Sequence, residues 1–333
     1  MPLLTPVPTR VGSRVISTGS YRPEQIVTND EIAALIDSSD EWIRERSGII
    51  ERRRCAPGES LTDMAVAAGA KAIAGSAISA DKISMVLVAT VTHPYQTPAA
   101  APEVAFRLGA IDAAATDLSA ACAGFCYSLG LADSMIRAGT AEYVLVIGVE
   151  KFTDFVSPTD RGTAFIFGDG AGAVLVGPSD HTGIGPTIWG ADGEQKDLIT
   201  MSQSWSEYRL EPRDEFPYLQ MSGQQVFRWA VGDIPEIAMR TLEASGITVD
   251  DLAAFIPHQA NMRITDSIVR ALKLPEHVVI GRDIETTGNT SAASIPLALD
   301  RLRQADKLPS GGLALLIGFG AGLAYAAQVI ELP

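Results

Sequence analysis

Short apolar runs, each too short to form a helix, alternate with stretches of helical periodicity along this chain. Residues 85–89 and 143–149 (YVLVIGV) are almost entirely apolar, which predicts strands buried on both faces. Helical patterns follow at 98–108 and, after residue 122, up to Gly139. This alternation predicts a parallel or mixed sheet covered by helices on both faces, and therefore an α/β fold.

Two glycine-rich turns, 168–172 (GDGAG) and 318–322 (GFGAG), lie about 150 residues apart, each beside an apolar strand. This internal repeat predicts two similarly built halves, residues 1–178 and residues 179–333. Between them, residues 180–217 become polar and aromatic, which predicts an excursion over the surface that covers a cleft.

The stretch 311–330 carries no charged residue and is long enough to cross a membrane. Five glycines interrupt it, and the runs 313–317 and 323–330 fit two buried strands around a tight turn. We therefore predict strands here and no membrane span.

Charge and cysteine content exclude some classes of function. A formal net charge of -14 argues against a nucleic-acid partner, which needs a basic surface. Three cysteines cannot form a disulfide framework, so a reducing, cytoplasmic setting is expected. Residues 1–10 lack the apolar segment of a secretory signal.

Cys122 stands at the junction between a predicted strand, which ends at Leu118, and a predicted helix. The Ala and Gly residues around it allow another molecule to approach closely. A thiol at a helix N-terminus lies at the positive end of the helix dipole, which favours the reactive thiolate. Cysteines also commonly fill space in cores, and we assign that role to Cys126.

His258 follows the apolar run 252–256, and Asn289 lies in a Gly-Asn-Thr-Ser turn before a predicted helix. Ligands of α/β sheets bind at the carboxyl ends of strands, and Cys, His and Asn form a known nucleophilic set. His258 follows Cys122 by 136 residues, as in papain-like proteases. The chain lacks the sequence that surrounds the papain cysteine, so a hydrolase is disfavoured. A helix cap is the structural alternative for Asn289.

An enzyme that carries an acyl group on a thiol also needs N–H donors for the thioester oxyanion. The Cys122 amide and the turn 319–322 (FGAG) are the natural candidates. Asp169, in the matching turn of the first half, is expected to be a structural turn residue.

Six segments occur together in this chain: DSSDEWI (37–43), SAACAGF (119–125), FGDGAG (167–172), PHQAN (257–261), GNTSAAS (288–294) and GFGAG (318–322). Together they closely resemble the β-ketoacyl-acyl-carrier-protein synthase III family, and the resemblance extends from about residue 14 to residue 333. It implies the thiolase-like fold, an α/β architecture of five α-β-α-β-α layers built from two similar halves. The family usually forms homodimers.

The resemblance implies a ping-pong reaction. Cys122 would take an acyl group from acyl-CoA while the backbone of Cys122, Gly320 and Ala321 holds the oxyanion. Malonyl-acyl-carrier-protein would then lose carbon dioxide, with His258 and Asn289 stabilising the enolate oxygen by hydrogen bonds. Acyl-CoA would be a substrate, acyl carrier protein the protein partner, and neither a cofactor nor a metal is implied.

The resemblance also assigns binding residues. Those that match the CoA site are Ser38, Trp42, Arg46 and Arg161, with Trp42 and Arg161 on the two faces of the adenine. Those that match the basic strip receiving the acidic carrier protein are Arg228, Gln259, Ala260, Asn261, Met262, Arg263 and Arg270.

Thr97 and Phe167 match the acyl channel of the family. Thr97 would reach into the channel of the partner subunit, and it stands where acetyl-selective members carry Phe. A smaller side chain predicts a deeper channel that accepts branched or longer primers. Two alternatives remain: a polyketide starter synthase of the same fold, and a non-catalytic thiolase-fold subunit, which would not need Cys122, His258 and Asn289 together.

Overall fold

The computed structural model describes residues 7–211 and 216–333. The first half contains the strands β1 (Gly12–Tyr21), β2 (Gln25–Thr28), β3 (Glu51–Arg54), β4 (Ile83–Ala89), β5 (Ala114–Leu118), β6 (Tyr143–Glu150) and β7 (Gly170–Ser179). Its helices are α1 (Asn29–Ile36), α2 (Asp40–Ser47), α3 (Leu61–Ala74), α4 (Ala100–Leu108) and α5 (Gly124–Arg137).

The second half contains the strands β8 (Ile188–Gly190), β9 (Ile199–Met201), β10 (Leu219–Met221), β11 (Leu252–Pro257), β12 (Val279–Ile280), β13 (Leu313–Gly320) and β14 (Ala324–Glu331). Its helices are α6 (Trp205–Leu210), α7 (Gly223–Ser245), α8 (Met262–Leu272), α9 (Ile284–Thr287) and α10 (Ser294–Gln304). The apolar runs 85–89 and 143–149 therefore form the predicted strands.

The two main sheets have the same strand order and the same strand directions. In the first, of order β1-β7-β6-β4-β5, β4 runs parallel to β5 and β6, and β7 runs antiparallel to β6 and β1. In the second, of order β8-β14-β13-β11-β12, β11 runs parallel to β12 and β13, and β14 antiparallel to β13 and β8. This topology confirms the predicted duplication. The boundary between residues 178 and 179 stays a prediction.

Helices α5 and α10 lie between the two sheets. Phe125 of α5 and Leu299 of α10 share one buried cluster with Val174 of the first sheet and Leu316 of the second. Helices α3 and α4 pack on the outer face of the first sheet, and α7 and α8 on the outer face of the second. The layers therefore follow the order α-β-α-β-α, which confirms the predicted architecture.

A single tight turn of 3₁₀ helix leads into each central helix, at 121–123 before α5 and at 291–293 before α10. The first residue of each turn has a positive φ, 45° at Ala121 and 48° at Ser291. Such values are uncommon outside glycine, so the shared conformation indicates that the two turns are structural equivalents. Cys122 in the first half corresponds to Ala292 in the second.

Two glycines allow each of these turns to rest on the other half. Gly148 and Gly318 are the sixth residues of β6 and β13, the central strands of their sheets. A Cβ on Gly148 would lie 2.2 Å from the Ala292 carbonyl oxygen, and one on Gly318 would lie 2.9 Å from the Ala123 Cα. Only glycine permits so close an approach, so the seam between the halves depends on these two residues.

The glycine runs 168–172 and 318–322, in contrast, are not equivalent. By strand position the counterpart of Gly318 is Gly148, and a long connection separates β6 from the run 168–172 that leads into β7. The run 318–322 instead forms the tight turn between β13 and β14. The prediction of two halves is confirmed, but the correspondence between the two glycine runs is wrong.

Local sequence signals place the helix starts well, with one exception. The spacings from Thr28 to Glu31 and from Ser60 to Asp63 are typical of capping boxes, and both boxes form, at the starts of α1 and α3. Helix α2 is capped by Ser39, which accepts a hydrogen bond from the Trp42 N–H, and not by Ser38 as the capping-box spacing predicts. The first turn of α2 begins one residue later than that spacing requires.

The uncharged stretch 311–330 forms the antiparallel pair β13 and β14, as predicted. Leu313 pairs with Glu331 at one end, and Gly320 with Ala324 beside the turn. Within the ranges that the structure describes, none of the helices has both the length and the apolar composition that crossing a membrane requires.

We predict that Gly148→Ala destabilises the protein by about 1–3 kcal/mol or more, because the new methyl group overlaps the Ala292 carbonyl at the seam. Gly232→Ala is the matched control, since a Cβ at this exposed position in α7 meets no atom within 4 Å. The control should raise the free energy of unfolding by up to about 1 kcal/mol through helix propensity. Urea denaturation measures both, and equal stability of the two variants would contradict the proposed seam.

Candidate active site

Residues from both halves surround one cavity of about 1440 Å³. Cys122 from the first half lines it together with His258 and Asn289 from the second. The three side chains that sequence reasoning selected therefore face the same space, although they lie far apart in the chain.

Cys122 sits in the 3₁₀ turn between β5 and α5, as predicted. Burial raises the pKa of its thiol to about 12, an effect that the nearby Glu150 carboxylate reinforces and Ser291 opposes. Desolvation therefore opposes the effect expected of the helix N-terminus, and the thiolate at Cys122 stays a prediction. Cys126 is fully buried in the core between the sheets, as predicted.

The end of β13 packs directly against Cys122. A Cβ on Gly320 would lie 2.8 Å from the Cys122 Sγ and 3.3 Å from the Cys122 amide nitrogen. Any larger residue would collide with the thiol, so glycine is required for this close approach. The backbone of Gly320 and the Cys122 amide thus lie beside the same sulfur, where an oxyanion hole would be needed.

His258 follows β11 directly and is held on several sides. Its backbone N–H donates to the Ile317 carbonyl oxygen at 2.8 Å, and its ring meets the Phe319 ring edge-on at 5.4 Å. Its Nδ1 lies 2.7 Å from the Ser294 Oγ. Burial lowers the pKa of the imidazole to about 3, so the ring is neutral at physiological pH.

Asn289 combines a local structural bond with access to the cavity. Its Oδ1 accepts a hydrogen bond from the Ser291 N–H at 2.8 Å, as a turn-capping side chain does. The backbone around it is fixed as well, since its N–H donates to the Ile166 carbonyl oxygen. With Oδ1 engaged, the Nδ2 group is the part of the side chain left to donate hydrogen bonds. Neither the turn 291–293 nor α10 has a side-chain N-cap hydrogen bond, so the helix-cap alternative is wrong, and the catalytic role of Asn289 stays a prediction.

Glu150 is a buried carboxylate that sequence reasoning missed. It accepts hydrogen bonds from the Thr92 Oγ1 at 2.7 Å, the Thr90 Oγ1 at 3.1 Å and the Val91 N–H at 3.1 Å. Burial raises its pKa to about 7. It anchors the segment after β4 that lines the cavity beside Cys122. Its one sequence signal is a carboxylate directly after the apolar run 143–149.

Three of the four predicted CoA residues line the cavity, namely Trp42, Arg46 and Arg161. The Arg161 guanidinium lies 5.1 Å from the centre of the Trp42 ring and that of Arg46 5.6 Å from it. A flat ring inserted between Trp42 and Arg161 needs a separation of about 7 Å, so Arg161 would have to move outward to admit an adenine. Ser38 is half-buried on the loop before α2 and lies outside the cavity lining.

The predicted carrier-protein strip is only partly at the surface. Four of its residues line the mouth of the cavity, namely Arg228, Ala260, Asn261 and Arg263, and Arg270 is exposed further along α8. Gln259 and Met262 are 1% and 8% exposed, so the prediction that their side chains belong to an exposed strip is wrong. The Gln259 amide is used internally, since it donates to the Pro257 carbonyl oxygen and accepts from the Ile284 N–H.

The two predicted channel residues occupy different places. Phe167 is buried, stacks on Phe152 at 4.4 Å and lines the cavity. Thr97 is exposed and lies outside the lining of its own chain's cavity.

Asp169 is structural, as predicted, because its carboxylate accepts hydrogen bonds from the backbone N–H groups of Cys55 and Thr153.

The excursion 180–217 contributes a wall of the cavity, as predicted. Ile199, Thr200, Met201 and Trp205 line the cavity from this side. Its residues 212–215 lie outside the described part of the chain.

Among the described residues, no group of His, Cys, Asp and Glu side chains has an arrangement that could hold a metal ion.

Family models match two parts of the chain. The model described as 3-oxoacyl-[acyl-carrier-protein (ACP)] synthase III matches residues 116–193, and the model of its C-terminal region matches residues 242–332.

Curated relatives match over nearly the whole length. The β-ketoacyl-[acyl-carrier-protein] synthase III 1 of Streptomyces coelicolor is 53% identical over 331 residues, which cover 96% of each chain. The β-ketoacyl-[acyl-carrier-protein] synthase III of Mycobacteroides abscessus is 50% identical over 321 residues, which cover 96% of this chain and 94% of the relative.

Solved structures show the same similarity. The priming β-ketosynthase of a polyketide biosynthetic pathway has a TM-score of 0.97 and 48% identity, with 99% of this chain and 98% of that one covered. The 3-oxoacyl-[acyl-carrier-protein] synthase III of Aquifex aeolicus has a TM-score of 0.88 and 37% identity, with 96% and 100% covered.

We predict that Glu150 makes the stability of the protein depend on pH. Folding raises its pKa from 4.5 to about 7, so between these values the unfolded chain is ionised at this residue while the folded protein keeps the proton. Stability therefore falls as pH rises through this window and is level above it. Between roughly pH 4 and pH 8, the wild type should lose about 3 kcal/mol more unfolding free energy than Glu150→Gln.

Urea denaturation at the two pH values measures this difference. Glu276→Gln, at an exposed position, is the control and should follow the wild type at both values. A parallel pH dependence in the wild type and Glu150→Gln would show that the carboxylate ionises as freely in the fold as outside it.

Proposed function

This chain belongs to the 3-oxoacyl-[acyl-carrier-protein] synthase III family, and we propose that Cys122, His258 and Asn289 are its catalytic residues. The chain is an acyltransferase-type condensing enzyme that initiates fatty acid synthesis. The observation that carries the residue assignment is the convergence of these three side chains on one cavity.

The first half-reaction is acyl transfer to Cys122. The Cys122 sulfur attacks the thioester carbonyl of acyl-CoA, and the oxyanion is held by backbone N–H groups of Cys122 and of the turn at Gly320 and Ala321. Expulsion of the CoA thiolate leaves an acyl-thioester on the enzyme, and the proton lost by the Cys122 thiol leaves on CoA. Because burial disfavours the free thiolate, we infer that the thiol loses this proton as substrate binds.

The second half-reaction is decarboxylative condensation. Malonyl-acyl-carrier-protein loses carbon dioxide, and the electron pair of the broken bond forms an enolate. The neutral His258 imidazole and the Asn289 Nδ2 group donate hydrogen bonds to the enolate oxygen, at no cost of like-charge repulsion. The enolate carbon then attacks the acyl-thioester, which releases β-ketoacyl-acyl-carrier-protein and restores the Cys122 sulfur. No cofactor is needed for either step.

The proposed protein partner is an acyl carrier protein. Arg228, Arg263 and Arg270 present positive charge around the cavity mouth and along α8, on a chain of net charge -14. The Arg263 guanidinium lies 5.3 Å from the centre of the Phe227 ring, which holds it at the surface. A local basic patch suffices to bind an acidic carrier protein.

We further propose a homodimer. Three large side chains are unusually exposed: Phe106 (70%) on α4, Ile111 (72%) just before the edge strand β5, and Tyr95 (68%) in the segment after β4. A second copy of the chain would cover this apolar surface.

The three free cysteines support a reducing, cytoplasmic location.

The polyketide alternative has one observation in its favour, the high TM-score with a priming β-ketosynthase of a polyketide pathway. That structure is 48% identical, whereas curated β-ketoacyl-[acyl-carrier-protein] synthase III proteins reach 53%. The comparison therefore gives the polyketide assignment no advantage over fatty acid synthesis.

Substitutions separate the two half-reactions. After incubation with radiolabelled acyl-CoA and denaturation, the wild type and Cys126→Ala should carry label, whereas Cys122→Ser should carry none, because a hydroxyl ionises far less readily than a thiol. Asn289→Ala should retain the label but lose malonyl decarboxylation by about 100-fold or more, since one enolate donor is removed. Absence of label on wild-type Cys122 would contradict the catalytic assignment. Wild-type decarboxylation in Asn289→Ala would contradict the enolate role alone.

Thr97 is proposed to set primer length from the partner subunit. Each additional buried methylene of the primer contributes up to about 0.8 kcal/mol, a several-fold gain in specificity. The wild type should therefore prefer branched or longer acyl-CoA over acetyl-CoA, and Thr97→Phe should reverse that preference. Measurement of kcat/KM for acetyl-, isobutyryl- and longer acyl-CoA checks this. Strong preference of the wild type for acetyl-CoA, unchanged in Thr97→Phe, would overturn the proposal.

A further inference from the structure

The hydroxyl of Ser294, the first residue of α10, joins two groups beside the cavity. It lies 2.7 Å from the His258 Nδ1, and it accepts a hydrogen bond from the Gln259 N–H at 3.3 Å. Ser294 is 1% exposed and His258 is 2% exposed, so bulk water does not compete for these bonds.

The direction of the bond to His258 follows from the groups around the hydroxyl. The Gln259 N–H can only donate, so it occupies a lone pair of the Ser294 oxygen. Among the described residues, Nδ1 is the only acceptor within hydrogen-bond distance of the hydroxyl proton. A buried hydroxyl that leaves its proton without an acceptor is costly. The Ser294 O–H therefore donates to Nδ1, which must be unprotonated.

A neutral imidazole with an unprotonated Nδ1 carries its proton on Nε2. Among the described residues, Nε2 has no hydrogen-bond partner, and His258 lines the cavity. The backbone bond to Ile317 and the edge-on contact with Phe319 hold the ring in this orientation. The nitrogen available to a substrate oxygen is thus a donor.

The first half has no equivalent of the hydrogen bond between Ser294 and His258. Gly124, the first residue of α5, occupies the place of Ser294, and a Cβ on it would lie 3.1 Å from the Ala89 Cβ at the end of β4. The Ala89 methyl group faces the start of α5 in the first half, whereas the His258 imidazole faces the start of α10 in the second. Ser294 therefore supplies a polar contact that the fold does not require.

We propose that Ser294 is a positioning residue that fixes the His258 proton on Nε2, so that the imidazole donates a hydrogen bond to the substrate oxygen. This inference rests on the enolate role proposed for His258. Without the hydroxyl, the tautomer with the proton on Nδ1 becomes accessible, and its Nε2 lone pair repels a developing enolate. Acyl transfer to Cys122 does not use this donor and is spared.

Nitrogen NMR of protein with ¹⁵N-labelled histidine reports which ring nitrogen is protonated. The chain has four histidines, and loss of one signal set in His258→Ala identifies that of His258. We expect Nε2 to be protonated in the wild type. Ser294→Ala should lose that preference and slow malonyl decarboxylation by about tenfold or more, with acylation by labelled acyl-CoA and the KM for malonyl-carrier-protein unchanged. Ser294→Thr keeps the hydroxyl, so it should retain both the proton on Nε2 and the wild-type rate of malonyl decarboxylation.

Ser128→Ala is the matched control, because Ser128 is buried in α5 and its hydroxyl has no partner among the described residues. It should change neither the tautomer nor the rate. A proton on Nδ1 in the wild type, or an unchanged tautomer in Ser294→Ala, would overturn the proposal, and the wild-type spectrum decides even if Ser294→Ala fails to fold. An inactive wild type with the proton on Nε2 would instead count against the proposed function.

Discussion

The contact of each helix-leading turn with the central strand of the opposite half is the constraint on which the rest of the structure depends. The turn at Ala292 packs against Gly148, and the turn at Ala123 packs against Gly318. Because both approaches are too close for a side chain, the two sheets and the helices between them have one possible spacing. That spacing brings Gly320 against the Cys122 thiol and closes the cavity at its inner end.

Desolvation determines the charge state of the groups in this cavity. Burial raises the pKa of the Cys122 thiol and the Glu150 carboxyl, and it lowers the pKa of the His258 imidazole. All three shifts favour the neutral form. Burial in this cavity therefore works against charge on all three side chains of the free protein.

Local patterns in the sequence predict local structure, and tertiary packing decides the rest. The apolar run 143–149 and the cap at Ser60 depend on neighbouring residues, so both are predicted correctly. The burial of Gln259 depends on Ile284 and other residues far along the chain, and no local signal reveals it. Glu150 is missed for the same reason, since its role comes from the segment after β4. Motifs select Cys122 as the proposed nucleophile, but the burial that opposes ionisation of its thiol comes from tertiary packing.

The matching turns before α5 and α10 also bear on the ancestry of the fold. Two identical halves related by symmetry would place the same residue at both turns, and would carry two nucleophiles or none. Joining the halves in one chain removes that symmetry, so that Cys122 and Ala292 can diverge at equivalent positions. In the proposed mechanism, the first half carries the covalent intermediate on Cys122, and the second half supplies the hydrogen-bond donors His258 and Asn289.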